Sequence, residues 1–320
     1  MSAFGWSSTT DEVLAGIDLS GRTVFVTGAN SGLGQETARA MASRGAHVIM
    51  AGRDPAKLDE AVAAIRAAHP KAQLDTLAVD LASLESIRAA TSRARQRFTK
   101  IDLLINNAGV MATPFQHTHD GFEMQLGTNH LGHFALTGEL FPLIERGHLK
   151  RIVNLSSRGH HFAPVDFDDP HYERRAYDPW QSYGQSKTAN ILFTVGLEAR
   201  FAVIGIHAYA VHPGGIHTNL GRHMTPAMVE ALMARVTSSD SGFQWKTIPQ
   251  GAATSCWAAT APELEGGSGT GGGVYCEDCH VAEVDDEAAD KGVRSYALNS
   301  SYADQLWALS EAATGVRYPG

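Results

Sequence analysis

Short apolar runs and longer amphipathic stretches alternate along the chain. Residues 23–27 form an apolar-rich run of strand length, and residues 34–43 repeat apolar positions at helical spacing until Gly45 ends the pattern. The same pairing predicts strands at 47–50, 74–79, 101–105, 151–155 and 205–211. Helices are predicted at 55–68, 83–98, 124–143 and 182–200. Parallel strands need right-handed crossovers, so this alternation predicts a parallel sheet with helices on both faces. Ligands are then expected at the carboxyl ends of the strands. Residues 158–180 and 214–249 interrupt the rhythm at that end and are expected to shape a pocket or lid, surface decoration being the alternative. A Gly-rich turn at 265–273 precedes a short strand at 274–276. The remaining tail, helical over 302–310, is expected to pack on the outside.

The first strand ends in Thr-Gly-Ala-Asn-Ser-Gly-Leu-Gly, residues 27–34, and a helix starts there. Glycine at 28, 32 and 34 permits a tight turn and close approach of backbone to a pyrophosphate, with free helix amides facing the anion. Asn30, Ser31 and Leu33 complete the expected cradle. The second strand closes on Gly52-Arg53-Asp54. Arg53 can fork onto a ribose 2′-phosphate, which favours NADP(H), with NAD(H) the alternative. Asp54 precedes Pro55 and reads better as a helix N-cap than as a ribose ligand. Further along, Tyr183 and Lys187 lie one helical turn apart and share a face. An ammonium beside a phenol favours the phenolate and is expected to lower the tyrosine pKa. Such a phenol can exchange a proton with an alcohol or ketone.

Other motifs stand in a telling order: Asn106-Asn107-Ala108-Gly109 after the fourth strand, Asn129 in Thr-Asn-His-Leu-Gly-His-Phe, and Ser156-Ser157 after the fifth. Together with the glycine turn and Tyr183/Lys187, they make the chain resemble the short-chain dehydrogenase/reductase family over residues 18–276. The segment before Tyr183 and the Ser-Lys-Thr-Ala-Asn after it look most like the retinol-dehydrogenase-like branch. The resemblance implies a three-layer, doubly wound Rossmann fold of about seven parallel strands in a single domain, with residues 277–320 as a C-terminal extension. It also implies NAD(P) binding and an Asn-Ser-Tyr-Lys set. Tyr183 would be the general acid or base, and Ser157, chosen over Ser156, would hold the substrate oxygen. Lys187 would hold the nicotinamide ribose, and Asn129 would anchor a water linking Lys187 to solvent. By the same resemblance Asp80 and Leu81 face the adenine, Asn107, Ala108 and Gly109 line the cofactor, and Pro213, Gly214, Ile216 and Thr218 pass beside the nicotinamide carboxamide.

Composition narrows the field. The chain has 320 residues, 43% hydrophobic and 19% charged, as expected for one globular domain with a substantial core. Its net charge of -8 disfavours a nucleic-acid partner. Three cysteines, 256, 276 and 279, argue for a reducing compartment, and the cytoplasm is the simplest expectation. No membrane span is expected, because the longest apolar stretch carries Glu198 and Arg200. His160, His161 and His171, and the Cys276-x-x-Cys279-His280 run, lack a recurring zinc spacing, so no metal is expected. His130 and His133 read as packing or hydrogen-bonding residues. Phe162, Phe167, Tyr172, Trp180, Phe243 and Trp245 either line a roomy apolar mouth or anchor the inserted loops. The leading expectation is a small-molecule carbonyl or alcohol substrate, bulky and hydrophobic. Reduction of a carbon–carbon double bond on the same scaffold is the runner-up. A non-catalytic dinucleotide-binding protein is the third reading, and the retained Tyr183 and Lys187 count against it. The family often pairs through the helices carrying Asn129 and Tyr183, so a homo-oligomer fits the resemblance.

Overall fold

The computed structural model describes residues 3–230, 244–264 and 271–319. Eight strands form one sheet in the order β3-β2-β1-β4-β5-β6-β7-β8. These are β1 (Thr23–Thr27), β2 (His47–Gly52), β3 (Gln73–Ala78), β4 (Leu103–Asn106), β5 (Arg151–Leu155), β6 (His207–His212), β7 (Val274–Glu277) and β8 (His280–Val281). The first seven are parallel, as expected, and β8 adds an antiparallel edge after the tight turn at Asp278 and Cys279. The expected turn at 265–273 falls largely on residues outside those described, as does Phe243.

Successive strand residues point to opposite faces, and the core divides accordingly. Val24, Val26, Val48 and Met50 pack against α2 (Gly32–Ser43), α3 (Pro55–Ala68) and α8 (Ile248–Thr260), following a short α1 (Thr10–Val13). Phe25, Ile49, Leu104 and Ile152 face α4 (Leu84–Arg97), the pair α5 (Met124–Leu126) and α6 (Gly132–Ile144), and α7 (Pro179–Phe201). The three-layer arrangement is therefore the expected one. A π-helical turn, Gly127–Leu131, joins α5 to α6.

Three boundaries differ from the sequence pattern for local reasons. The buried Asp102 carboxylate accepts from the Thr23 and His148 amides at 2.8 and 2.7 Å, so β4 starts only at Leu103. Asp178 caps α7 by accepting from the Trp180 and Gln181 amides, with Pro179 at the first position, so this helix starts ahead of residue 182. The helix α8 has no counterpart in the periodicity reading; a Thr247/Gln250 capping box begins it.

The tail also requires a correction. The last helix, α9 (Ser300–Thr314), does not sit on the outside: Leu306 and Trp307 are buried. Trp307 meets Phe134 edge-on with ring centroids 5.2 Å apart, and Tyr318 packs against both, 4.7 Å from Trp307 and 5.0 Å from Phe134. Apolar periodicity identifies the face but not its partner, and here the partners are α6 and α7. We expect Trp307→Ala to lower the unfolding free energy by about 3–5 kcal/mol in urea titration. A loss under about 1 kcal/mol would place the tail outside the cooperative core.

Candidate active site

Strand order reverses between β1 and β4, and a cleft of about 900 Å³ opens at the carboxyl ends there. The phosphate turn forms one end. Gly28 takes a φ of +65°, and a side chain on Gly34 would run into the Gly28 carbonyl and the Asn107 amide. Asn30, Ser31, Gly32 and Leu33 line the cleft beside them. Ser31 caps α2 without a side-chain hydrogen bond, so the first amides of that helix are left for an anion.

The Thr27 hydroxyl fastens β1 to the loop after β4. It accepts from the Asn107 and Ala108 amides at 2.8 and 2.9 Å, while the Asn107 side chain donates back to the Thr27 carbonyl at 2.7 Å. That loop brings Asn107, Ala108 and Gly109 to the cleft wall. Arg53, Asp80 and Leu81 line the adenosine end, and Asp80 also accepts from the Ala82 amide. Pro213, Gly214, Ile216 and Thr218 line the far side, with Thr218 positioned against Gly32 across the turn. Asp54 accepts from the Ala56 and Lys57 amides, as expected of a cap.

Tyr183 and Lys187 project from α7 into the same cleft and are 3% and 4% exposed. The Ser157 hydroxyl lies beside the Tyr183 phenol across Gly159 and accepts from the Gly159 amide at 3.0 Å. Ser156 turns away, donating to the Lys187 carbonyl at 2.9 Å. The Lys187 ammonium donates to the Leu155 carbonyl at 3.0 Å and lies 5.7 Å from the Tyr183 ring centre.

Burial dominates the ionisation of both groups. It pushes the Tyr183 phenol up to about 12 against the smaller opposing effect of the neighbouring Ser157 hydroxyl, and brings Lys187 down to about 8. The expected lowering of the tyrosine is absent from the folded chain, because desolvation outweighs stabilisation of the phenolate. The Tyr183 phenol is therefore neutral at pH 7.

Asn129 is brought near these groups but lies behind the wall. Its side-chain oxygen accepts from the Val110 amide at 2.8 Å, and its nitrogen donates to the Val110 carbonyl and Ser186 hydroxyl, both at 2.9 Å. His133 holds its backbone: Nδ1 lies 2.9 Å from the Asn129 carbonyl, and Nε2 lies 2.9 Å from the Thr27 hydroxyl. A carbonyl can only accept, so Nδ1 carries the proton and Nε2 accepts from Thr27. Burial brings His133 down to about 4, which keeps that ring neutral. His130 meets the Ser310 hydroxyl at 2.7 Å, so both histidines serve in hydrogen bonding.

The structure adds residues the sequence did not single out. A side chain on Gly159 would collide with the Tyr183 ring, so the glycine lets the turn after β5 pack flat on the phenol. No motif marks it. Of the aromatics, Phe162, Trp180 and Trp245 line the cleft. Phe167 packs against Tyr302, and Tyr172 lies under the Arg175 guanidinium at 3.8 Å, so these two anchor the inserted segment. Among the described residues no helix is long and apolar enough to cross a membrane. Nor is any group of three or more His, Cys, Asp or Glu side chains arranged to hold a metal ion.

Comparison with known proteins agrees with this geometry. Residues 22–228 match the family model described as short chain dehydrogenase. Human Retinol dehydrogenase 14 is 39% identical over 310 residues, covering 92% of this chain and 87% of its own length. The Short-chain dehydrogenase TIC 32 B, chloroplastic, of Brassica napus is 38% identical over 319 residues, covering 97% of this chain and 93% of that one. A crystal structure of an uncharacterized protein from Mycobacterium paratuberculosis superposes with a TM-score of 0.71 at 35% identity, covering 95% of this chain and 97% of the other. The chain thus belongs to the short-chain dehydrogenase/reductase family, on its retinol-dehydrogenase-like branch, and is an oxidoreductase from a family that binds nicotinamide dinucleotides.

Proposed function

We propose that the chain is an NADP(H)-dependent oxidoreductase that moves a hydride between nicotinamide and the carbonyl or alcohol carbon of a bulky, hydrophobic substrate. Tyr183 is its general acid or base. The observation that carries this reading is the buried Tyr183 phenol, beside Ser157 and one helical turn from Lys187, in a cleft that begins at a glycine turn suited to phosphate.

The residues present fit the dinucleotide. The open amides of α2 and the bare backbone at Gly34 suit the pyrophosphate, and Arg53 suits a 2′-phosphate. Lys187 would hold the nicotinamide ribose. The bound nicotinamide would supply or accept the hydride. Tyr183, neutral as folded, gives its proton to the substrate oxygen in reduction, and the Ser157 hydroxyl steadies the charge growing there. In oxidation the Tyr183 oxygen, as phenolate, takes that proton from the alcohol. Asn129 and His133 act as positioning residues, fixing the wall that carries Gly109 and Val110. Met111, Phe162, Trp180, Leu220, Met224 and Trp245 give the cleft apolar walls, which supports a bulky hydrophobic substrate.

Three outcomes are expected. In a panel of ketones, aldehydes, alcohols and enones followed by nicotinamide absorbance, ketones or aldehydes should turn over with NADPH in preference to NADH. Turnover of enones alone would favour carbon–carbon reduction instead. Tyr183→Phe should retain NADPH binding by calorimetry while losing roughly 10²–10⁴-fold in kcat; near-normal turnover would reject the assignment. The third concerns pH. Carbonyl reduction needs the phenol protonated and the Lys187 ammonium charged, and only the second changes near neutrality. Lys187 loses its proton as pH rises through about 8. kcat/KM for reduction should thus be level below that pH and fall above it, whereas a profile level to about pH 10 would separate the lysine charge from the reaction.

A further inference from the structure

Two arginines from different strand ends converge on the adenosine end of the cleft. Arg53 follows β2, and Arg222 stands on the short turn Asn219–His223 after β6, yet both line the same cleft, as do Lys57, Asn30 and Ser31. They are close enough for their charges to interact. Arg222 is shifted down by burial and then by Arg53, and His223 is shifted down by burial, then by Arg222 and Arg53.

Among the described residues no carboxylate forms a salt bridge with either arginine. Asp54, the neighbouring carboxylate, caps α3 through one oxygen, and its other oxygen lies 3.9 Å from Lys57. Arg222 donates from Nη1 to the Asn219 carbonyl at 3.0 Å, which fixes the guanidinium at its base while Nη2 makes no hydrogen bond among the described residues. The turn itself is tied to the phosphate site, because Thr218 packs on Gly32 and its hydroxyl accepts from the Leu220 amide at 3.3 Å. Like charges gathered without such a salt bridge raise the free energy of the empty site, and an anion placed between them reverses the sign. A phosphate monoester dianion has the charge and the acceptor oxygens for two guanidinium forks.

We propose that Arg222 joins Arg53 in a two-arginine clamp for the ribose 2′-phosphate, so that the segment after β6 is a second determinant of cofactor choice. The inference deepens the NADP(H) reading above and rests on it. Leu220 and Met224 flank Arg222 and line the same cleft, so the clamp also ties one apolar wall of the substrate mouth to the bound cofactor.

The test is calorimetry on the full chain with 2′,5′-ADP and 5′-AMP, two probes that differ by the 2′-phosphate and need no turnover. Wild type should bind 2′,5′-ADP more tightly than 5′-AMP. Arg222→Ala and Arg53→Ala should each weaken 2′,5′-ADP by roughly tenfold or more while changing 5′-AMP by less than about twofold. Arg222→Glu should erase the preference. Unchanged 2′,5′-ADP binding in both Arg222 variants, with loss in Arg53→Ala, would overturn the clamp and leave the NADP(H) reading standing. Equal wild-type affinity for the two probes would overturn the NADP(H) reading itself.

Discussion

Burying a lysine ammonium beside a phenol is the constraint around which this site is organised. Removing the charge from water is costly, and among the described residues Lys187 Nζ donates a single hydrogen bond, to the Leu155 carbonyl at the end of β5. The penalty appears as the lowered lysine pKa, which leaves the group charged at pH 7 but close to its midpoint. The same desolvation keeps Tyr183 protonated. A single physical cause, desolvation, therefore shifts both groups, and neither shift needs direct contact between them.

That burial is achieved by elements far apart in sequence. The long helix α7 packs across the sheet, and the π-turn at Gly127–Leu131 presents Asn129 to the loop after β4. His133 then links the Asn129 carbonyl to the Thr27 hydroxyl, which in turn holds the Asn107 and Ala108 amides. The chain of hydrogen bonds runs from the phosphate turn to the lysine wall, and its central members Thr27, Asn129 and His133 are buried, where such bonds are strongest.

Much of this was legible in the sequence, for identifiable reasons. Buried parallel strands are nearly continuous apolar runs, so β1, β2, β5 and β6 stand out, and the glycine turn, Tyr183 and Lys187 carry spacing that chemistry itself requires. Other elements left weaker traces. The two-residue β8 is too short for any period, and α8 announces itself only by the Thr247/Gln250 capping box. The burial of Trp307 depends on which helix its face meets, and local pattern does not encode that. Gly159 and Arg222 are illegible for the same reason: each matters through a partner brought near by folding. The sign of the tyrosine shift belongs here too, since a neighbour's charge can be inferred from spacing while depth of burial cannot.

The most direct test of the account is a nitrogen-15 NMR titration of the Lys187 side chain in the free protein, assigned with Lys187→Arg. The account predicts a midpoint near 8, far below the ordinary lysine value of 10.5. A midpoint at that ordinary value would show a hydrated ammonium and contradict the buried arrangement on which the proposed chemistry depends.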